Sequence, residues 1–409
     1  MKFRIIILAG FVLVGLQAGA ANLFGPFTVD NRLRVEWDDN IYQTETNQQD
    51  SAKFIEQIQL MADFSSDKTF FSVRYQPSFL YWESRDDDDD DLHHEADILF
   101  NHKFSQRFSI GLNDTLRRAE RPEVIDDEDG FTIRPDQSFL YNSIKGSASF
   151  SASAQTRLSA SAGYTFVDHD EEEYAKREDY DILKGGLSVN QQIDKMTVIG
   201  ANARYEDLEY TEQPDPVDVD GDGIFEDRGR GQRGADTYQF GLSLQRTLSK
   251  KMLANVGGGY ELREFDEANT DNTSSPYGSV SLTYLPSPRT RFSGGGSYSL
   301  YEADVYPYTS QQRTSFFVSL GHDLTKKITW FISGTYLHGD YDAEQTVDTV
   351  DVLDFEDGED DAYQVSTRID YRFARDNSLE LHWQFTDLTS DLREDYERNR
   401  ISLGWRTRL

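Results

Sequence analysis

From Phe27 onward, apolar and polar residues alternate. Phe27, Val29, Leu33, Val35, Trp37 and Ile41 share one parity, and Thr28, Asp30, Arg32, Arg34 and Glu36 take the intervening places or lie beside them. A period of two gives a strand with two unlike faces. The pattern returns at Phe71, Val73, Tyr75, Phe79 and Tyr81, at Phe108, Ile110, Leu112 and Leu116, and at Tyr238, Phe240, Leu242, Leu244 and Leu248. It returns again at Phe316, Val318, Leu320 and Leu324, at Tyr363, Val365, Ile369, Tyr371 and Phe373, and at Leu379, Leu381, Trp383 and Phe385. The last set is Ile401, Leu403, Trp405 and Leu409. Counted along the chain there are about 18 such segments, within roughly 16–20, a number found in single-chain membrane barrels. Alternation is weakest over 137–150 and 179–193, where apolar residues fall on both parities.

The breaks between segments sort by length. Short ones fall at Ser65–Lys68, Ser105–Gln106, Asp194–Lys195, Ser249–Lys250, Pro286–Pro288, Thr325–Lys327 and Ala374–Asn377. Long ones fall near 43–51, 83–93, 118–136, 168–178, 211–235, 265–275, 304–311, 342–361 and 388–397. Tight periplasmic turns alternating with longer external loops are the habit of a transmembrane antiparallel β-barrel. A soluble β-sandwich also alternates, but it does not sort its loops by length over a chain this long. Closure has a physical reason. Every backbone N–H and C=O needs a partner in hydrocarbon, and an open sheet would leave two edges bare. The expectation is an all-β chain whose last strand pairs with its first.

Residues 1–20 read as a secretory signal peptide, leaving 21–409 as the barrel. Lys2 and Arg4 form a positive start, Ile5–Leu16 a short apolar run, and Ala18-Gly19-Ala20 a small-residue cleavage site. That run is about 12 residues, against the ~20 a spanning helix needs. Nothing as apolar follows, and mean hydropathy is −0.66. There is no cysteine, so no disulfide framework holds an exported chain of this size. The formal net charge is −32, which argues against nucleic-acid binding. Aromatics at 13% argue against disorder.

The opening strand with its acidic exit, Trp37-Asp38-Asp39-Asn40-Ile41-Tyr42-Gln43-Thr44, followed by repeated hairpins to Leu409, resembles a family of outer-membrane β-barrel porins. It also resembles barrels that accompany exopolysaccharide biosynthesis. The resemblance spans roughly 27–409 and implies location and fold. It leaves the substrate open, because a fold does not fix a function.

Several features bear on chemistry. Acidic residues cluster at Asp86–Asp91, at Asp126–Asp129, over Asp168–Glu173 and over Asp348–Asp361, all assigned to long loops. Each is either a cation-concentrating rim or a solvated loop. Asp218, Asp220, Asp222 and Glu226 hold positions 1, 3, 5 and 9 of a calcium loop, with Gly223 at position 6 and Gly229 where a bidentate Glu belongs. That loop is either a weak external Ca²⁺ site or an ordinary acidic linker. Arg32, Arg34, Arg368, Arg372, Arg400, Arg406 and Arg408 share the polar parity of strands that closure would bring together. They form either an anion-selecting pore wall or a set of salt bridges with Glu36, Asp370 and Glu380. The seven histidines, His93, His94, His102, His169, His322, His338 and His382, fit no catalytic order or two-histidine metal motif. Gly257–Gly259 and Gly294–Gly296 sit within strands, where they permit curvature.

The expected function is a porin-like passive channel for small hydrophilic solutes in the cell outer membrane, with no enzymatic activity and no required cofactor. The alternative is a structural or accessory barrel for exopolysaccharide export or surface attachment. Expected partners are outer-membrane lipid, the barrel-assembly machinery and, beyond these, divalent cations or polysaccharide.

Overall fold

The computed structural model describes residues 26–85, 89–119, 138–172, 175, 179–211, 234–266, 272–303, 308–342 and 356–409. The signal-peptide segment and the calcium-type loop with Asp218, Asp220, Asp222 and Glu226 lie outside them. Eighteen strands run in chain order. The first six are β1 (Phe27–Asp38), β2 (Ser51–Ser65), β3 (Thr69–Trp82), β4 (Asp90–Lys103), β5 (Phe108–Ala119) and β6 (Phe139–Ser151). The next six are β7 (Thr156–His169), β8 (Tyr180–Gln192), β9 (Thr197–Tyr210), β10 (Ala235–Ser249), β11 (Met252–Phe265) and β12 (Thr273–Ser287). The last six are β13 (Thr290–Glu302), β14 (Ser310–Asp323), β15 (Ile328–Tyr341), β16 (Gly358–Ala374), β17 (Asn377–Ser390) and β18 (Tyr396–Arg408).

Each strand pairs antiparallel with its chain neighbours, and β18 returns to β1 from Asp30↔Arg408 to Asp38↔Arg400. The sheet is therefore a closed barrel. Hydroxyl side chains set the tight turns. Ser66 Oγ takes the amide of Thr69, Ser105 Oγ those of Arg107 and Phe108, Ser153 Oγ those of Gln155 and Thr156, and Thr325 Oγ1 those of Lys327 and Ile328. A short polar side chain that bonds the backbone two or three residues on reverses the chain at low cost. The turn at 152–155 adds one short break to those read from the sequence. Strands β6 and β8 form where alternation was weakest, because pairing on both sides compensates for a blurred pattern.

The register assigns the faces. The parity of Val35, Leu242, Val280, Val318 and Leu403 points outward, and Leu187 and Leu242 are 66% and 70% exposed. Exposure that high on leucine, repeated around the wall, marks a lipid-facing belt. Tyrosines edge it toward the long loops (Tyr164, Tyr205, Tyr238, Tyr260, Tyr336 and Tyr363). Phenylalanine and tryptophan edge it toward the short turns (Phe64, Phe71, Phe108, Phe150, Trp330 and Phe373). Ile41, grouped with the belt by sequence, lies past the end of β1 and is buried.

The strands run further toward the long loops than the apolar alternation does. Asp90 and Asp91 belong to β4, Asp168 to β7, and Glu359, Asp360 and Asp361 to β16. The assignment of these acidic clusters wholly to loops is thus corrected. Backbone pairing continues outside the membrane, where side chains no longer need to be apolar.

One junction is split. β12 and β13 pair only as far as Gly278↔Tyr298, whereas the outer part of β12 stays paired with β11 and that of β13 with β14. Pro276 lies in the split and has no N–H to offer β13.

Candidate functional site

The polar parity converges on the lumen, and two kinds of wall meet there. Over β6–β15 the inward side chains are small and uncharged in the main. Ser149 pairs with Ser159 at 3.0 Å, Ser297 with Ser315 at 2.8 Å, and Asn255 donates to Ser281 at 3.1 Å. Glycines thin this wall further. Gly241 lies under the inward phenol of Tyr277, where an added Cβ would overlap the ring oxygen.

Over β16–β18 and β1–β5 the wall is charged. Arg406 grips Asp30 through Nε at 2.8 Å and Nη2 at 2.6 Å, and Arg408 approaches the same carboxylate at 3.5 Å. Arg32 pairs with Glu380, and Arg368 with Asp370 at 3.2 Å. Lys53 pairs with Glu36 at 2.8 Å, and Arg117 joins Arg74 on Asp97. The register puts all seven arginines named from the sequence on the lumen side: Arg32, Arg34, Arg368, Arg372, Arg400, Arg406 and Arg408. Of the three anticipated counter-charges, Glu380 meets Arg32, Asp370 meets Arg368 and Glu36 meets Lys53. Closure explains the grouping, because β17, β18, β1 and β2 are adjacent.

Between these pairs lies a niche of about 190 Å³. Arg34, Arg400, His382, Gln384 and Gln57 line it together with Glu36, Lys53 and His93. The Nε of Arg34 is buried and has no hydrogen-bond partner among the described residues. Guanidinium, imidazole and amide groups around one space can hold a carboxylate through several N–H donors at once.

Toward the long loops the inward positions change again, into a buried collar. Leu337, Ala362, Leu388 and Tyr396 form one cluster, Ala119, Phe139 and Val167 a second, and Ala303, Tyr308 and Tyr341 a third. Polar anchors sit among them. Arg398 holds Asp38 at 3.0 and 2.6 Å, and Trp82 Nε1 donates to Asp91 at 2.9 Å. Sequence reading missed Lys53, Arg74, Arg117, Arg398 and His382. Their parity was available, opposite the apolar set of each strand, but only the register shows which of them share one stretch of wall.

Residues 220–409 match the family model described as "Putative beta-barrel porin 2". No curated protein matches by sequence. Among solved structures, Pseudomonas aeruginosa OccK2 (OpdF), crystallised in complex with glucuronate, is similar with a TM-score of 0.50 at 11% identity, over 94% of this chain and 99% of that one. P. aeruginosa OpdQ is similar with a TM-score of 0.48 at 12% identity, over 94% and 98%. Acinetobacter baumannii OccAB4 is similar with a TM-score of 0.47 at 10% identity, over 94% and 98%. At such identity the likeness to OccK2 is one of fold. The family match favours a channel over an accessory barrel for exopolysaccharide, and it is a family of porins rather than enzymes. The chain is a closed β-barrel of porin-like fold, and its residues 220–409 match a family model of β-barrel porins.

Proposed function

We propose that this channel passes small hydrophilic anions, sugar acids among them, along the charged wall of β16–β18 and β1–β5. The niche around Arg34 carries the reading. Arg32, Arg368, Arg406 and Arg408 have carboxylate partners, whereas Arg34 lines open space beside Arg400 and His382, with its Nε buried and without a hydrogen-bond partner among the described residues. A passing carboxylate gains charge-assisted hydrogen bonds there. The flanking carboxylates Glu36 and Glu95 line the same niche and keep binding weak enough for release, which conduction requires. The serine-rich wall opposite offers hydroxyls to the sugar body.

Proteoliposome swelling tests this. Glucuronate should enter faster than neutral glucose of similar size, and Arg34→Ala should remove most of that difference while leaving glucose entry unchanged. Equal rates for both solutes in the unaltered protein would overturn the anion preference.

A further inference from the structure

The lumen wall opposite the arginines is not uniformly polar, because three aromatic rings stand on it. Phe317 lies between the lipid-facing Phe316 and Val318 on β14 and so points inward. Phe331 pairs with the lumen residue Arg368, and Tyr277 pairs with the inward Gly259. Phe317 and Phe331 are 42% and 37% exposed, and that exposure is to the water of the pore. Apolar surface left open in this way marks a place where a ligand is held.

The rings lie along the wall, because glycines make room for them. The row Asn202–Gly241–Gly259–Tyr277 crosses β9 to β12, and Asn202 Nδ2 reaches the Tyr277 phenol oxygen at 3.4 Å. The phenol therefore lies over both glycines. A Cβ added to Gly295 would stand 2.8 Å from Phe317 Cε1, and one added to Gly321 would stand 3.3 Å from Phe331 Cδ1. Each ring rests one face on the backbone of the strand before it and turns the other toward the lumen.

The register orders the rings. Gly278, next to Tyr277, pairs with Tyr298, and Phe317 pairs with Gly295, which is nearer the short turn on the same strand. Phe317 also pairs with Thr335, and Phe331 is nearer the short turn than Thr335. The rings thus descend from the long-loop side toward the short turns. At ~3.3 Å per residue and ~4.8 Å per strand, each step is roughly 15 Å. At the foot of the descent the Arg368 guanidinium lies over Phe331, 4.6 Å from the ring centroid. The track therefore ends against the charged wall.

We infer that Tyr277, Phe317 and Phe331 form a track for a linear glycan, with a pyranose stacked on each ring in turn. A pyranose presents C–H groups on its flat face, which suit the negative face of an aromatic ring. Its hydroxyls point sideways, and the wall meets them with hydroxyls of its own. Around Phe317 these are Ser315 and Ser319 on its strand, Ser293 and Ser297 on β13, and Thr335 on β15. The steps exceed one sugar, so a chain can engage two rings at once where a monosaccharide engages one. The inference rests on reading the pore as a solute channel, and is independent of the Arg34 niche.

Single-channel recording with two neutral probes, glucose and cellohexaose, tests this. Cellohexaose should block the unaltered channel with an apparent affinity about tenfold or more above that of glucose, as engagement at two linked points gives. Phe317→Ala should lower that affinity several-fold, and Phe317→Tyr should keep it. Phe316→Ala, which removes a ring from the lipid side, should leave it unchanged. Brief interruptions by glucuronate should persist in Phe317→Ala, because the niche is untouched. An open channel that cellohexaose does not block would overturn the inference. So would equal blockade with and without the Phe317 ring, or an equal loss in Phe316→Ala. Blockade by 4-hydroxybenzoate but not by cellohexaose would make the track one for aromatic solutes and overturn it as well. A silent protein would overturn the channel reading and this inference with it.

Discussion

The carboxylate of Glu261 on β11 accepts the backbone amide of Leu300 on β13 at 2.5 Å, reaching past β12, which lies between them. The same group accepts Ser299 Oγ at 3.2 Å and Gln239 Nε2 at 2.8 Å, and Glu261 is fully buried. This is where β12 and β13 separate above Gly278↔Tyr298. A side chain thus replaces the missing strand as acceptor, since a buried N–H left bare is costly. Glu261→Ala should destabilise the barrel by about 1–3 kcal/mol for each donor left unsatisfied, read as a lower urea midpoint in lipid vesicles. Glu261→Gln keeps an acceptor for Leu300 and should lose clearly less.

The seam between first and last strands carries a second testable contact. Asp38 and Arg398 are both buried, and the guanidinium meets the carboxylate through two nitrogens. Removing one partner of such a pair leaves an uncompensated buried charge, at about 3–5 kcal/mol. Arg398→Met alone should therefore lower the unfolding midpoint strongly. Arg398→Met with Asp38→Leu should recover much of the loss, because two apolar groups cost less there than one orphaned ion.

Neighbouring residues on one strand should respond oppositely to the same substitution. Leu242 faces lipid and Ser243 faces the lumen. Leu242→Arg should cost about 2–4 kcal/mol, as arginine does at mid-belt on the lipid face of a barrel. Ser243→Arg should leave stability near that of the unaltered protein and reduce conductance instead. Similar stability losses in both would mean that the face assignment is wrong.

The fold was largely legible in the sequence, because period two is a direct consequence of strand geometry. Runs such as Tyr238 to Leu248 need no tertiary information. Adjacency was legible only through closure, which brought Arg32 and Arg34 beside Arg400 and Arg406. The niche was less so. His382 and Gln57 join Arg34 through register across four strands, and no local pattern encodes register. Strand ends such as Asp90 and Asp361 were taken for loop because pairing outlasts the apolar pattern that signals it.

Planar-bilayer recording of the purified protein tests the account most directly. Steady, discrete conductance steps in potassium chloride are predicted. Added glucuronate should interrupt them briefly in the unaltered channel and leave Arg34→Ala undisturbed. Protein shown to be inserted, yet silent over many trials, would contradict the account.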